Sequence, residues 1–264
     1  MNLNTVEFDK FRTIIFDEIG IVLDDTKISL LQNRLYSRLT FYKIENFTDY
    51  LQIVRQDKNE KTQMFNHITT NETYFFREHQ HFDFLNAQIQ EQSIKKEFNV
   101  WSAASSVGAE AYSIAMLLDD TLHKNQWRVL GSDINTNVIE TAKEGLYKES
   151  WIDKIPDEYR IKYCLKGKRK FDGKFIIDRK LQNNVKFTRH NLLNEDHSLG
   201  LFDVIFLRNV LIYFDAQTKF RVLSNILSNL KVGGYLVIGL TESLENIKIE
   251  NLKKYQSSIY IKMR

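Results

Sequence analysis

The sequence predicts an α/β protein in which an N-terminal helical bundle precedes a mostly parallel, Rossmann-like sheet carrying a small inserted β-subdomain. Three observations predict this. The first 69 residues repeat apolar side chains at helix spacing, with glycine nearly absent and no proline. From Phe98 onward short apolar runs alternate with helical patterns, the signature of strand–helix repeats. Residues 161–184 break that alternation with two short runs around a basic turn, a pattern that suits a strand pair better than a crossover helix.

The bundle is expected over residues 1–69. Its apolar stripes are Phe8, Phe11, Ile15 and Ile19; Ile28, Leu31, Leu35 and Leu39; Phe47, Tyr50, Leu51 and Val54; and Met64, Phe65 and Ile68. Residues 70–97 form a linking motif and a connecting helix, Phe82–Gln92. The sheet domain follows over 98–264, with strands at Phe98–Ser102, Trp127–Ser132, Val185–Thr188, Phe202–Leu207, Tyr235–Leu240 and Ser258–Ile261. Helices are expected at Glu110–Leu118, Thr136–Leu146 and Ala216–Leu230, and a turn at Lys231-Val232-Gly233-Gly234. The subdomain strands flank Lys166-Gly167-Lys168-Arg169-Lys170 and Asp172-Gly173.

The segment Val100 to Glu110 carries the chemistry. A strand runs into the small-residue turn Ala103-Ala104-Ser105-Ser106-Val107-Gly108, and the next strand ends in Gly131-Ser132-Asp133. A tight loop and an acid closing the neighbouring strand make a ribose-binding arrangement, because a carboxylate can accept hydrogen bonds from two adjacent hydroxyls. The loop has neither the three glycines of the dinucleotide fingerprint nor the Lys-Ser/Thr of a P-loop. S-adenosylmethionine, with ribose and adenine but no phosphate, fits this pattern better than a dinucleotide. An ordinary strand–helix turn with a solvated Asp133 is the alternative.

The remaining composition narrows the function. Charged residues make up 27% and the formal net charge is only +3, so no general nucleic-acid binding is expected. Cys164 is the lone cysteine, which rules out an internal disulfide. Met1 to Lys10 contains Glu7, Asp9 and Lys10 and no apolar core, so no secretory signal is expected. No apolar run reaches membrane-spanning length, and a cytoplasmic protein without membrane insertion is expected. No two histidines share metal-ligand spacing, so no metal is assigned; His79 and His81 are expected in solvent at a helix start.

Four segments taken together closely resemble the CheR family, the chemotaxis-receptor glutamate O-methyltransferases. They are Asn71-Glu72-Thr73-Tyr74-Phe75-Phe76-Arg77-Glu78, the loop after Trp101, Phe202 through Arg208-Asn209-Val210-Leu211-Ile212-Tyr213-Phe214, and Leu230 through Gly239-Leu240-Thr241-Glu242-Ser243. The resemblance runs from about Gly20 to the end. It implies a class I methyltransferase fold and S-adenosylmethionine as cofactor, with S-adenosylhomocysteine as product. It implies cofactor contacts from Asn71, Thr73, Arg77, Gly108, Glu110, Asp133, Asn191, Leu192, Arg208 and Asn209, with Arg77 and Tyr213 at the reacting centre. Phe75 and Phe76 suit packing rather than chemistry.

The expected reaction makes γ-glutamyl methyl esters on chemoreceptors; the alternative is a non-catalytic relative that regulates by binding cofactor or a signalling partner. The expected partners are the cytoplasmic helices of those receptors, met by a monomer. Lys27, Arg34 and Arg38 share one face of the second helix by their spacing, which offers a docking surface for acidic helices or simply a solvated face. The chain departs from the family in two places. Val107-Gly108-Ala109-Glu110-Ala111-Tyr112 stands where Thr-Gly-Glu-Glu-Pro-Tyr is usual, and Leu240 stands for a usual histidine. Gly167-Lys168-Arg169 keeps half of the Gly-x-Gly turn with which some relatives capture a receptor's terminal peptide.

Overall fold

The computed structural model describes residues 2–91, 97–122 and 126–263. Its first part is four helices, α1 (Thr5–Ile19), α2 (Ile28–Tyr42), α3 (Phe47–Gln56) and α4 (Lys58–Ile68). Each apolar stripe faces a common core that includes Phe11, Leu35, Tyr50 and Met64, all buried. Side-chain caps start three of the helices: Asn4 with Glu7 in a reciprocal capping box, then Asn46 and Asp57. Inside the bundle Glu60 is 2% exposed. Arg38 donates to both its oxygens, and Tyr42 and Tyr50 add hydroxyl donors at 3.0 and 2.6 Å. The expected docking role of Arg38 is thereby corrected: its guanidinium is committed to a buried carboxylate rather than offered to a partner.

An irregular segment leads to α5 (Gln80–Glu91), and Gln92, the expected end of that helix, lies outside the described residues. Then come β1 (Phe98–Ala103), α6 (Ala109–Thr121), β2 (Trp127–Asp133), α7 (Thr136–Glu144), β3 (Leu146–Lys148), α8 (Asp157–Tyr163), β4 (Cys164–Lys166), β5 (Lys174–Ile177) and α9 (Arg179–Gln182). The chain closes with β6 (Val185–Arg189), β7 (Phe202–Leu207), α10 (Ala216–Ser228), β8 (Leu230–Ile238), β9 (Leu252–Gln256) and β10 (Ile259–Lys262). The main sheet has the order β6-β2-β1-β7-β8-β10-β9. Its first five strands are parallel, and β10 pairs antiparallel with β8 and β9.

Alternate residues of the central strands feed two cores. Val100, Val204, Phe206 and Val237 pack toward α5 and α6, while Trp101, Ile205, Leu207 and Leu236 pack toward α10. The strand order reverses between β1 and β7, where open sheets of this type form a ligand crevice. There Ala103 pairs with Leu207, so the loop after β1 and the residues after β7 leave the sheet side by side.

Four elements differ from expectation. The helix from Thr136 stops at Glu144 because Gly145 turns left-handed at φ +62. The chain then makes β3, which pairs with β5, so the small sheet β3-β5-β4 draws on residues well before Ile161. Strand β8 begins at Leu230 rather than Tyr235; Gly233, at φ +78, makes an irregularity within the strand instead of a turn before it. Strand β9 has an exposed, lysine-bearing edge and lacks the apolar alternation that would signal it.

Candidate active site

A cavity of about 280 Å³ opens at the reversal point. Its lining joins four parts of the chain: Ile19 to Arg34 of the bundle, Ile68 to Arg77 of the linking segment, the loops after β1 and β2, and the residues following β6 and β7. Asn71, Thr73, Arg77, Glu110, Asp133, Asn191, Leu192, Arg208, Asn209 and Tyr213 all border it, as do Lys27 and Arg34.

Gly108 does not. It caps α6 at φ +84, and a Cβ there would sit 2.8 Å from the Cβ of Ala142 and 2.9 Å from the Phe187 ring. The expected cofactor contact is corrected to a packing requirement: only glycine permits this turn and this close approach. Ala104 and Ser106, both with positive φ, and Ser105 line the cavity in its place. The altered positions Val107, Ala109 and Ala111 do not line it either; the two alanines are fully buried in the core.

Asp133 organises the rim. One carboxylate oxygen accepts the Ser106 N–H at 2.9 Å and the other the Asn135 N–H at 2.9 Å. Burial raises its pKa above the usual carboxylate range, against the opposing pull of N–H groups from Asn135, Ser106 and Ile134. Each oxygen keeps a further acceptor position. Three of the loop's own donors are spent on protein: Ser105 N–H reaches the Ser132 carbonyl at 2.8 Å, Ser106 N–H reaches Asp133, and Gly108 N–H reaches the Ser105 carbonyl at 3.0 Å. With these N–H groups taken, the loop does not present the run of successive free N–H groups that a phosphate nest uses.

Arg208 forms part of the cavity wall with a side chain only 2% exposed. It donates to Glu110 at 2.7 Å and to the Arg77 carbonyl, and pairs with Glu78 at 3.1 Å. Glu110 also accepts the Ser102 hydroxyl at 2.7 Å. Arg208 therefore braces the site. Its neighbour Asn209 is left-handed at φ +56, and its amide donates to Glu78 at 3.2 Å. Arg77 donates to the Glu72 carbonyl at 3.0 Å and lies 4.0 Å from Glu78. Arg34 donates to the Ile68 carbonyl and to the Thr70 hydroxyl, fastening the bundle to the linking segment. Asn191 donates to the Glu18 carbonyl at 2.7 Å and so ties the far wall to α1.

Phe75 packs edge-on against Tyr147, and Phe76 stacks on Tyr159, so both serve packing. His81 corrects another expectation. It is 1% exposed, and its Nε2 lies 2.7 Å from the Ser258 hydroxyl. Two acids were not singled out from the sequence although both stand inside the motifs, Glu78 and Glu242. Each collects hydrogen bonds from segments far apart in the chain, a role visible only in three dimensions. Among the described residues no cluster of three His, Cys, Asp or Glu could hold a metal.

A parallel sheet with an acid closing β2, a loop without a phosphate nest, and amide and apolar side chains across the cavity fit an adenosyl cofactor that lacks phosphate. These features define an S-adenosylmethionine-dependent methyltransferase of class I. Residues 6–69 match the family model described as "CheR methyltransferase, all-alpha domain" and residues 71–261 that described as "CheR methyltransferase, SAM binding domain". The chain belongs to the CheR methyltransferase family.

The chemotaxis protein methyltransferase of Escherichia coli K12 is 36% identical over 251 residues, covering 93% of this chain and 87% of that protein. That of Borreliella burgdorferi is 34% identical over 276 residues, covering 99% and 96%. Among solved structures, the N-methyltransferase NodS of Bradyrhizobium japonicum, in complex with S-adenosylhomocysteine, aligns over 63% of each chain at 15% identity and a TM-score of 0.38.

Asp133→Ala is expected to weaken S-adenosylhomocysteine binding by about 1–3 kcal/mol through lost charge-assisted bonds. Isothermal calorimetry measures this directly. An unchanged affinity in a folded variant would refute the ribose assignment.

Proposed function

We propose that this protein esterifies glutamate side chains of chemotaxis receptors, forming γ-glutamyl methyl esters in the cytoplasm. The observation that carries this reading is one cavity shared by Asn71, Thr73 and Arg77, by Asn209 and Tyr213, and by Lys27 and Arg34 of the helical bundle. Cofactor-side residues and cations suited to an acidic protein segment thus meet at one opening. Two relatives over most of their length are chemotaxis protein methyltransferases, which supports the same substrate class. No described helix is long and apolar enough to cross a membrane.

Bound S-adenosylmethionine supplies an electrophilic methyl group on a sulfonium. A glutamate with an ordinary pKa of about 4.3 is already ionised at neutral pH, so the site needs no general base. Its residues need to align the carboxylate and exclude water. Arg77 suits a positioning role: it is anchored on Glu72 and close to the Glu78 carboxylate, so its charge is partly spent within the protein. A tighter grip would stabilise the substrate anion more than the transition state and slow the step. Tyr213 borders the same opening.

The test is transfer of labelled methyl to receptor-enriched membranes, with the label released as methanol by mild base. Label that resists base would put the methyl on an atom other than a carboxylate and overturn the glutamate reading, and no label while S-adenosylhomocysteine still binds would replace it with a regulatory one.

A further inference from the structure

Two buried asparagines join the helical bundle to the loop that carries Asp133. Asn66, near the end of α4, is 7% exposed, and Asn135, which caps α7, is 1% exposed. The Asn135 amide donates across the junction to the Asn66 carbonyl at 3.0 Å and to the Thr69 hydroxyl at 2.8 Å. The Asn66 side chain reaches the other way. Its Oδ1 accepts the Thr136 N–H at 2.9 Å, and its Nδ2 donates to the Thr136 hydroxyl at 2.8 Å. Next to these bonds the Ile134 side chain packs on the apolar core of the bundle. Residues 134–136 are thus held from the bundle side by apolar contact and by hydrogen bonds together.

Neither asparagine lines the cavity, yet their bonds reach it. The Asn135 N–H is one of the groups that orient Asp133, donating to its Oδ1 at 2.9 Å. The Asn135 side-chain oxygen in turn accepts the N–H groups of Asn137 and Val138 at 2.9 and 3.3 Å. With both ends of its amide engaged, Asn135 cannot turn without leaving buried polar groups unpaired, which costs more than a hydrogen bond contributes. We propose that Asn66 and Asn135 are positioning residues for cofactor binding: through them the bundle sets the Asp133 carboxylate in place for the ribose. This rests on the ribose reading of Asp133 and adds its cause. The bundle is then a working part of the cofactor site, and its docking and the cofactor's affinity are coupled in both directions.

Calorimetric titration of the full chain with S-adenosylhomocysteine tests the proposal. Asn66→Ala removes both side-chain bonds to Thr136. Asn135→Ser keeps a good helix cap for α7 but is too short to reach Asn66 and Thr69. Each substitution is expected to raise Kd about fivefold, the scale of one or two buried hydrogen bonds. In an Asp133→Ala background the same substitutions are expected to change Kd by less than about twofold, because a residue that acts through Asp133 then has nothing left to position. A general loss of packing would instead multiply with the Asp133→Ala effect. Scanning calorimetry confirms that each variant is folded, and if Asn66→Ala is not, the capped Asn135→Ser variant carries the test. Wild-type Kd in the asparagine variants, or effects that multiply fully with that of Asp133→Ala, would overturn the proposal and spare the ribose reading. Wild-type Kd in Asp133→Ala itself would remove both.

Discussion

Arg208→Ala is expected to lower the midpoint of thermal unfolding by roughly 10 °C and to disable the cavity at the same time. The arginine side chain is 2% exposed and lies between Glu110 and Glu78, themselves only 13% and 14% exposed. Burial alone pushes the Glu78 carboxyl up; the Arg208 charge, the Asn209 amide and the Leu240 N–H together reverse this and hold it below the usual carboxylate range. Removing the arginine strips that compensation from Glu78 and takes away the ion-pair partner of Glu110. Breaking a buried pair in this way costs about 3–5 kcal/mol, and for a chain of this size each kcal/mol moves the midpoint by about 2–4 °C. Arg208→Lys is expected to recover only part of the loss, since one ammonium cannot reproduce the planar fork that reaches Glu110, Glu78 and the Arg77 carbonyl. Differential scanning calorimetry reads both variants. A midpoint within about 2 °C of wild type for the alanine variant, by the same conversion, would mean that Arg208 is dispensable.

Acid should cost the protein a further, separable increment through His81. Burial first, then the charge of Arg208, lowers its pKa to about 4 against the opposing attraction of Glu78. Above the ordinary value of about 6.5 the ring is neutral whether the chain is folded or not. Between there and about 4 the unfolded chain binds a proton that the folded protein does not. Stability therefore falls as pH drops through that window, by about 2 kcal/mol at pH 5, and the loss levels off below the folded value. The groups facing the ring are Glu78, 3.5 Å from Nδ1, Arg208, and the Ser258 hydroxyl at Nε2. Urea unfolding at pH 7.5 and pH 5 measures the drop. His81→Gln keeps an amide for Ser258 and cannot titrate, so it should flatten the pH dependence by that amount. An equal slope in both proteins would place the acid sensitivity elsewhere.

Much of this molecule is legible in its sequence, and the failures have identifiable causes. Periodicity locates every stripe of the bundle and the strands β1, β2, β6, β7, β8 and β10 of the main sheet because their apolar residues are buried with the regularity of the backbone. It passes over β9, whose edge position requires no burial, and over β3, three residues long, whose partner Lys174–Ile177 lies well beyond it in the chain. Spacing places Lys27, Arg34 and Arg38 on one helix face. It cannot see that Glu60, on another helix, takes Arg38 inward, or that Ile68 and Thr70 hold Arg34 at the cavity. Gly108 is read correctly as a turn glycine and wrongly as a ligand contact, because the loop pattern does not say which of its residues faces the crevice.

The sequence by itself determines the architecture and the class of chemistry. Apolar period fixes helix and strand, and an acid closing the second strand beside a small-residue loop marks an adenosyl site; both signals are local. Tertiary structure alone decides which charges are free and which are spent. Glu78, Glu242 and Arg208 each join segments more than thirty residues apart, and the state of a charge depends on what approaches it through space.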